Sequence, residues 1–160
     1  MATYRRETHV DAPFEDVWAF HSTTDGLEAL TPDFMHLIVE SVTGPDGGAD
    51  PDELEAGSRI ELSMRPFGVG PRRRMVSVIT DRTLEDGAGM FRDTMESGPF
   101  AEWEHTHRFF ADGRGTRLVD HVAYRLPGGR LGRAASPFGR IGLGPMFRGR
   151  HRTTKRLLEP

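Results

Sequence analysis

The stretch from Phe91 to Tyr124 constrains the fold more than any other. Three β-permissive runs lie in it, Phe91 to Met95, Trp103 to Phe109 and Leu118 to Tyr124, separated by Gly98-Pro99 and by Asp112-Gly113-Arg114-Gly115. Strand side chains alternate faces with a period of two. The middle run therefore puts Trp103, His105, His107 and Phe109 on one face and Glu104, Thr106 and Arg108 on the other. A face carrying a Trp, a Phe and two imidazoles is neither plain core nor plain solvent surface. It reads as the wall of a mostly apolar small-molecule pocket with a few placed polar groups.

The rest of the chain supplies the elements around that wall. Thr3 to Val10 alternates as a first strand, and Asp11-Ala12-Pro13 signals a helix start. Phe14, Val17, Trp18 and His21 then share one helical face. A second short helix is expected over Asp25 to Leu30, closed by Thr31-Pro32. Strands are expected over His36 to Thr43, Arg59 to Arg65 and Arg73 to Thr80, joined by Gly- and Pro-rich turns, with an acidic solvated loop around Gly44 to Pro51. Beyond Pro127 the pattern turns helical: Ser136-Pro137 reads as a helix start and Gly144-Pro145 as a break. From Pro145 onward Phe147, His151, Thr154 and Leu158 keep helical spacing. This predicts a C-terminal helix of about 12–20 residues, kinked near Gly142 to Pro145.

The order is β, α, α, about six strands, then one long helix. It describes an α+β domain: a curved antiparallel sheet of six or seven strands whose concave face is covered by the C-terminal helix. At 160 residues a single domain, 1–160, is expected. The absence of cysteine excludes disulfides, thiolate metal sites and Cys nucleophiles. No run approaches a membrane span and the N-terminus lacks an apolar signal region, so a cytoplasmic location is expected.

Charge is unevenly placed. No Lys or Arg lies between Glu7 and Arg59, whereas Arg130, Arg133, Arg140, Arg148, Arg150, Arg152, Lys155 and Arg156 face only Glu159 after Gly128. The two ends can attract each other within the fold, or the basic end can touch anionic lipid or phosphate peripherally. Arg72-Arg73-Arg74 reads as a charged strand edge that discourages aggregation. Gly142-Leu143-Gly144 and Gly128-Gly129 do not follow a strand of a βαβ unit, so neither is a nucleotide fingerprint. Nucleic-acid binding is not expected, because no exposed aromatics interleave with the basic residues.

With these elements in order, the chain resembles the START-like (SRPBCC) superfamily of polyketide cyclase/dehydrase and lipid-transport type, with its helix-grip fold. The resemblance is carried by Ala12-Pro13-Phe14-Glu15-Asp16-Val17-Trp18-Ala19-Phe20, by Leu30-Thr31-Pro32 before a strand, and by Gly98-Pro99-Phe100 with Trp103, His105, His107 and Phe109. Gly115-Thr116-Arg117-Leu118-Val119-Asp120, Tyr124 and Pro127 complete it. It covers essentially the whole chain. It implies a cavity between sheet and terminal helix, but not an activity, because this fold hosts carriers, sensors and enzymes alike.

Alternation assigns the expected lining. Leu62, Met64 and Met75, then Phe91 and Met95, then Trp103 and Phe109 supply apolar surface, with Val122 and, from the helix, Phe147. Asp93, His105, His107, Asp120 and Tyr124 are the polar members of the same face. Three readings of the polar group are open: mutual satisfaction without a further role, orientation of a ligand, or acid–base catalysis by His107, Asp120 and Asp93, as a cyclase or dehydratase requires. His105-x-His107 can also place two imidazoles on a metal with Asp93 or Asp120, but the spacing is common and no third His is well placed by sequence. No metal and no cofactor are expected. The leading expectation is binding of a lipid-, polyketide- or isoprenoid-like molecule. The alternatives are that enzyme, or an interaction module docking a partner through the basic C-terminal helix.

Overall fold

The computed structural model describes all residues, Met1–Pro160. The elements are β1 (Ala2–Val10), α1 (Phe14–His21), α2 (Thr24–Leu30), β2 (Ile38–Thr43), β3 (Arg59–Met64), β4 (Arg73–Glu85), β5 (Ala88–Ser97), β6 (Glu102–Asp112), β7 (Gly115–Arg125), α3 (Gly129–Ala135) and α4 (Arg140–Leu158). The strands form one antiparallel sheet in the order β1-β7-β6-β5-β4-β3-β2. After β1 the chain crosses the whole sheet through α1 and α2, then returns strand by strand until β7 pairs with β1. Register shifts interrupt the ladder at Val39/Ser41, Val76/Ser77 and Ile79/Asp81. Such bulges increase twist and bend strands, which suits a sheet that wraps a helix.

Local sequence accounts for the two short helices. Phe14, Val17 and Trp18 bury one face of α1, while Glu15 and Asp16 stand in its first turn, where the helix dipole favours acids. Thr23 caps α2 by accepting the Gly26 N–H at 3.1 Å. Gly89 on β5 is required by the first of these helices. A Cβ there would lie 2.4 Å from the Trp18 ring, so only glycine lets the indole lie flat on the strand.

Three apolar clusters result. Trp18 stacks on Phe91 with ring centroids 4.3 Å apart and meets Phe109 edge-on, alongside Val10, Phe14, Val17 and Leu118. Val42, Leu54, Ile60, Leu62 and Ile79 pack under Leu27 of α2, with Met75 beside them. Val122, Tyr124, Leu143 and Phe147 join the sheet to α4, where Phe147 stacks on Tyr4 at 5.4 Å.

The C-terminal region departs from expectation in two respects. Gly144-Pro145 does not break it: α4 runs through Pro145, which lies on the exposed side. Ile141, whose carbonyl loses its partner to that proline, is likewise on the solvent face, where water can replace the bond. Nor does Ser136 start a helix. It sits in a 3₁₀ turn (Ser136–Gly139) between α3 and α4, and its hydroxyl donates to the Gly132 carbonyl and accepts the Leu126 N–H. The helical run therefore begins near Gly129, and the serine fastens it to the end of β7. No helix is long and apolar enough to cross a membrane.

Candidate functional site

Strand register assembles a four-residue square on the inner face of the sheet. Asp93 pairs with His105 across β5 and β6, and His107 with Asp120 across β6 and β7. Acid and imidazole thus alternate around the square. Both oxygens of Asp120 are used. Oδ1 accepts from His105 Nε2 at 2.8 Å and stands 2.8 Å from His107 Nδ1 in an ion-pair contact, and Oδ2 accepts from His151 Nε2 of α4 at 2.5 Å. Asp93 stands across the same two imidazoles, its Oδ2 lying 3.5 Å from His105 Nδ1 and 3.8 Å from His107 Nε2, while Ser77 donates to its Oδ1 at 3.2 Å.

The square lies between two of the apolar clusters. Along β6 the inward order is Trp103, His105, His107, Phe109, and along β7 it is Tyr124, Val122, Asp120, Leu118. Its edges differ in depth. Side chains of Asp120, His151 and His105 are 2%, 4% and 7% exposed, whereas His107 and Asp93 reach 14% and 19%. The Asp93–His107 edge is the open one.

The electrostatics follow from burial and pairing. Burial pushes Asp120 upward, but the charge of His107 and the three imidazole donors outweigh it and hold the carboxyl well below the usual carboxylate range. For Asp93 burial wins: it is raised, although His107, the Ser77 and Trp103 donors and the Arg150 charge oppose the rise. Burial lowers His105 against the bond to Asp120. It lowers His107 too, aided by repulsion from His105 and opposed by Asp120. Arg150 is lowered by burial and supported by Asp120 and Asp93. Two neighbouring carboxylates are thereby driven in opposite directions, a pattern that accompanies division of labour in functional sites.

The polar residues named from sequence, Asp93, His105, His107 and Asp120, thus converge on one square. Tyr124 stands apart from it: its hydroxyl donates to the Ser136 carbonyl at 2.8 Å and holds the 3₁₀ turn between α3 and α4. Phe91 and Phe109 back onto Trp18, Leu62 and Met75 join the cluster under α2, and Val122 and Phe147 join the sheet to α4. Met64, Met95 and Trp103 are only partly buried on the inner side. Sequence reasoning missed His151 and Arg150. His151 had a legible signal, its place on the Phe147–Thr154 face of the helix, but nothing local says which strand that face meets.

His21 is a further, half-buried imidazole beside the square. Its Nδ1–H donates to the Val17 carbonyl at 2.7 Å and its ring packs against Phe109 at 4.9 Å. Its pKa is lowered to about 3, chiefly by burial; the Val17 bond and Asp120 oppose this, and His107 and Arg150 add repulsion. The folded protein thus resists protonating a group that titrates near 6.5 when unfolded. The unfolded chain binds more protons below that value, so stability must fall as pH drops from 6.5 toward 3. Because the side chain is only half-buried, we expect a loss of about 2 kcal/mol between pH 7 and pH 4, less than the ~3 kcal/mol of a fully sealed imidazole. Urea titrations at several pH values check it: the drop should shrink by that amount in His21→Leu, and an equal drop in both proteins refutes the assignment.

Comparisons with known proteins agree with this architecture. No curated protein matches the chain by sequence. Among solved structures, a START superfamily protein of Mycobacterium smegmatis superposes with a TM-score of 0.64 at 12% identity, covering 98% of this chain and 97% of the other. Protein CV1439 of Chromobacterium violaceum gives a TM-score of 0.69 at 13% identity over 99% and 97%. A norcoclaurine synthase of Thalictrum flavum, a point mutant in complex with a transition-state analogue, gives 0.66 at 16% identity over 98% and 92%. At such identities the likeness is one of fold. Residues 1–159, however, match the family described as polyketide cyclase / dehydrase and lipid transport. With the seven-stranded sheet gripping α4, the chain belongs to that family and has the START-like helix-grip fold.

Proposed function

We propose that this protein, acting as one domain, holds a small organic molecule with an apolar body and an oxygen-bearing head between the sheet and α4. One observation carries the reading: a belt of buried acid and imidazole groups is set between apolar clusters, and not all of its polar atoms are matched within the protein. His151 Nδ1 is buried without a partner, and the outer nitrogens of His105 and His107 have only the long approach of Asp93. Buried polar atoms are normally satisfied, so spare ones next to apolar walls suit a ligand that brings its own polar end. Met64, Met95 and Trp103 are the side chains best placed to meet the apolar body, with Phe91, Phe109, Leu62, Met75, Val122 and Phe147 behind them. Each ligand methylene sequestered there contributes ~0.8 kcal/mol. The family description and the ligand-bound synthase of like fold support this reading.

Native mass spectrometry of protein purified without detergent should show an added mass, and solvent extraction should release an apolar compound bearing carbonyl, hydroxyl or carboxylate oxygen. Protein that is empty in every preparation, and that takes up neither a fluorescent fatty acid nor a polycyclic phenol, overturns the proposal.

A second reading, cyclase or dehydratase chemistry on the bound molecule, is favoured by the geometry of His107. Its Nδ1–H is held by Asp120, which leaves Nε2 as a free lone pair at the open edge, the arrangement of an oriented base. In that case His107→Gln abolishes turnover of the extracted compound while changing its affinity less than threefold. Equal turnover in both proteins removes this reading.

A further inference from the structure

We propose that Asp93, His105 and His107 form a binding site for a divalent first-row transition metal, oriented from behind by Asp120. The inference begins with proton positions. Asp120 is surrounded by three imidazoles at 2.5–2.8 Å, so each must present an N–H to it: Nε2 of His105, Nδ1 of His107 and Nε2 of His151. In the neutral rings the opposite nitrogens, His105 Nδ1 and His107 Nε2, are then lone pairs. Both face a third lone-pair donor, Asp93 Oδ2, at 3.5 and 3.8 Å. With Asp93 ionised, three acceptors converge with no donor among them, and a cation set between them satisfies all three at once.

The dimensions suit a small ion. The three donor atoms lie within 4.8 Å of one another. A metal bonded at about 2.0–2.2 Å to nitrogen and oxygen holds its ligands about 3.0–3.5 Å apart, which the two Asp93 edges at 3.5 and 3.8 Å already approach, and the imidazole–imidazole edge is no longer than 4.8 Å. Two imidazoles and one carboxylate form a donor set for Zn²⁺, Fe²⁺ or Co²⁺, not for Ca²⁺ or Mg²⁺, which prefer oxygen throughout. Three protein ligands leave coordination positions free, and the free side is the open Asp93–His107 edge.

The outer support is already built. A metal-bound histidine usually passes its other N–H to a carboxylate, which fixes tautomer and ring direction. Here one buried carboxylate does this for both ligands and is itself steadied by His151. Arg150 lies near both carboxylates, yet its guanidinium makes no ion pair with either within 4.0 Å, so it leaves the gap unfilled.

The site deepens the reading above by supplying the group that would meet a ligand's oxygen, but metal binding stands without any organic ligand, and the test separates the two. Protein stripped by chelator and solvent extraction is titrated with Zn²⁺ by calorimetry and with Co²⁺ by visible absorption. One equivalent per chain is expected, with Co²⁺ bands of a mixed nitrogen–oxygen site. Asp93→Ala combined with His107→Ala should weaken binding more than 100-fold. Asp120→Asn should weaken it 10–100-fold with unchanged stoichiometry, as outer-support changes do. Should Asp120→Asn fail to fold, Asp93→Asn, on the more exposed edge, tests the same site with folding checked by circular dichroism. The surface group of His9 with Asp11 and Asp112, at 3.1 and 3.3 Å, is the competing location. Binding abolished by His9→Ala and retained without Asp93 and His107 overturns the proposal, as does no binding at micromolar metal. A metal equivalent in protein that never holds an organic compound supports the metal site and sinks only the ligand reading.

Discussion

Asp120→Ala should lower the free energy of unfolding by ~3–5 kcal/mol, because it removes the acceptor of three buried imidazole N–H groups at once. The carboxylate is 2% exposed, so its removal leaves the three imidazole nitrogens facing a space closed off from bulk solvent. The loss is expected as a fall in the urea midpoint at constant m-value. A double-mutant cycle with His151→Ala isolates the helix-to-sheet part: a coupling of ~1–3 kcal/mol is expected for groups in direct contact. A coupling near zero, or a loss under 1 kcal/mol for Asp120→Ala alone, would show that the square does not hold the helix.

Trp18→Ala should cost ~3–5 kcal/mol, comparable in size but opposite in physical origin. The indole is 6% exposed, stacks on Phe91 with planes 5° apart, meets Phe109 edge-on and lies 5.4 Å from the Arg82 guanidinium. Gly89 provides the floor, so the vacated space is bordered by backbone that cannot collapse into it. Chemical unfolding measures the loss, and binding of a small aromatic such as indole to the cavity should recover part of it. A penalty below 2 kcal/mol would mean that α1 is free to resettle on the sheet.

These two residues also mark what was readable in advance. Trp18 was legible with its neighbours, since Phe14, Val17 and Trp18 recur at helical spacing after a Pro and can bury only one face. His105 and His107 were legible as a pair, with Asp93 and Asp120 on adjoining strands. The C-terminal region was less so. Gly and Pro disfavour helix locally, so the sequence pointed to a break at Gly144-Pro145, whereas packing of Leu143 and Phe147 against Val122 and Tyr124 carries the helix through. Tyr124 showed the reverse: its face was inferred correctly, but its hydroxyl belongs to Ser136 and not to the square.

Alternation along β6, the helical face of α1 and the order of elements come from backbone periods of 2 and 3.6 residues, which act over neighbouring positions and so are written in the sequence itself. The meeting of His151 with Asp120, 31 residues apart, and the pairing of Asp93 with His105 and of His107 with Asp120 come from strand register and from where α4 settles. Remote apolar clusters set both by packing against one another, and no local stretch contains that information. The chain alone determined which chemical groups would share a face; the tertiary structure decided which of their atoms would touch.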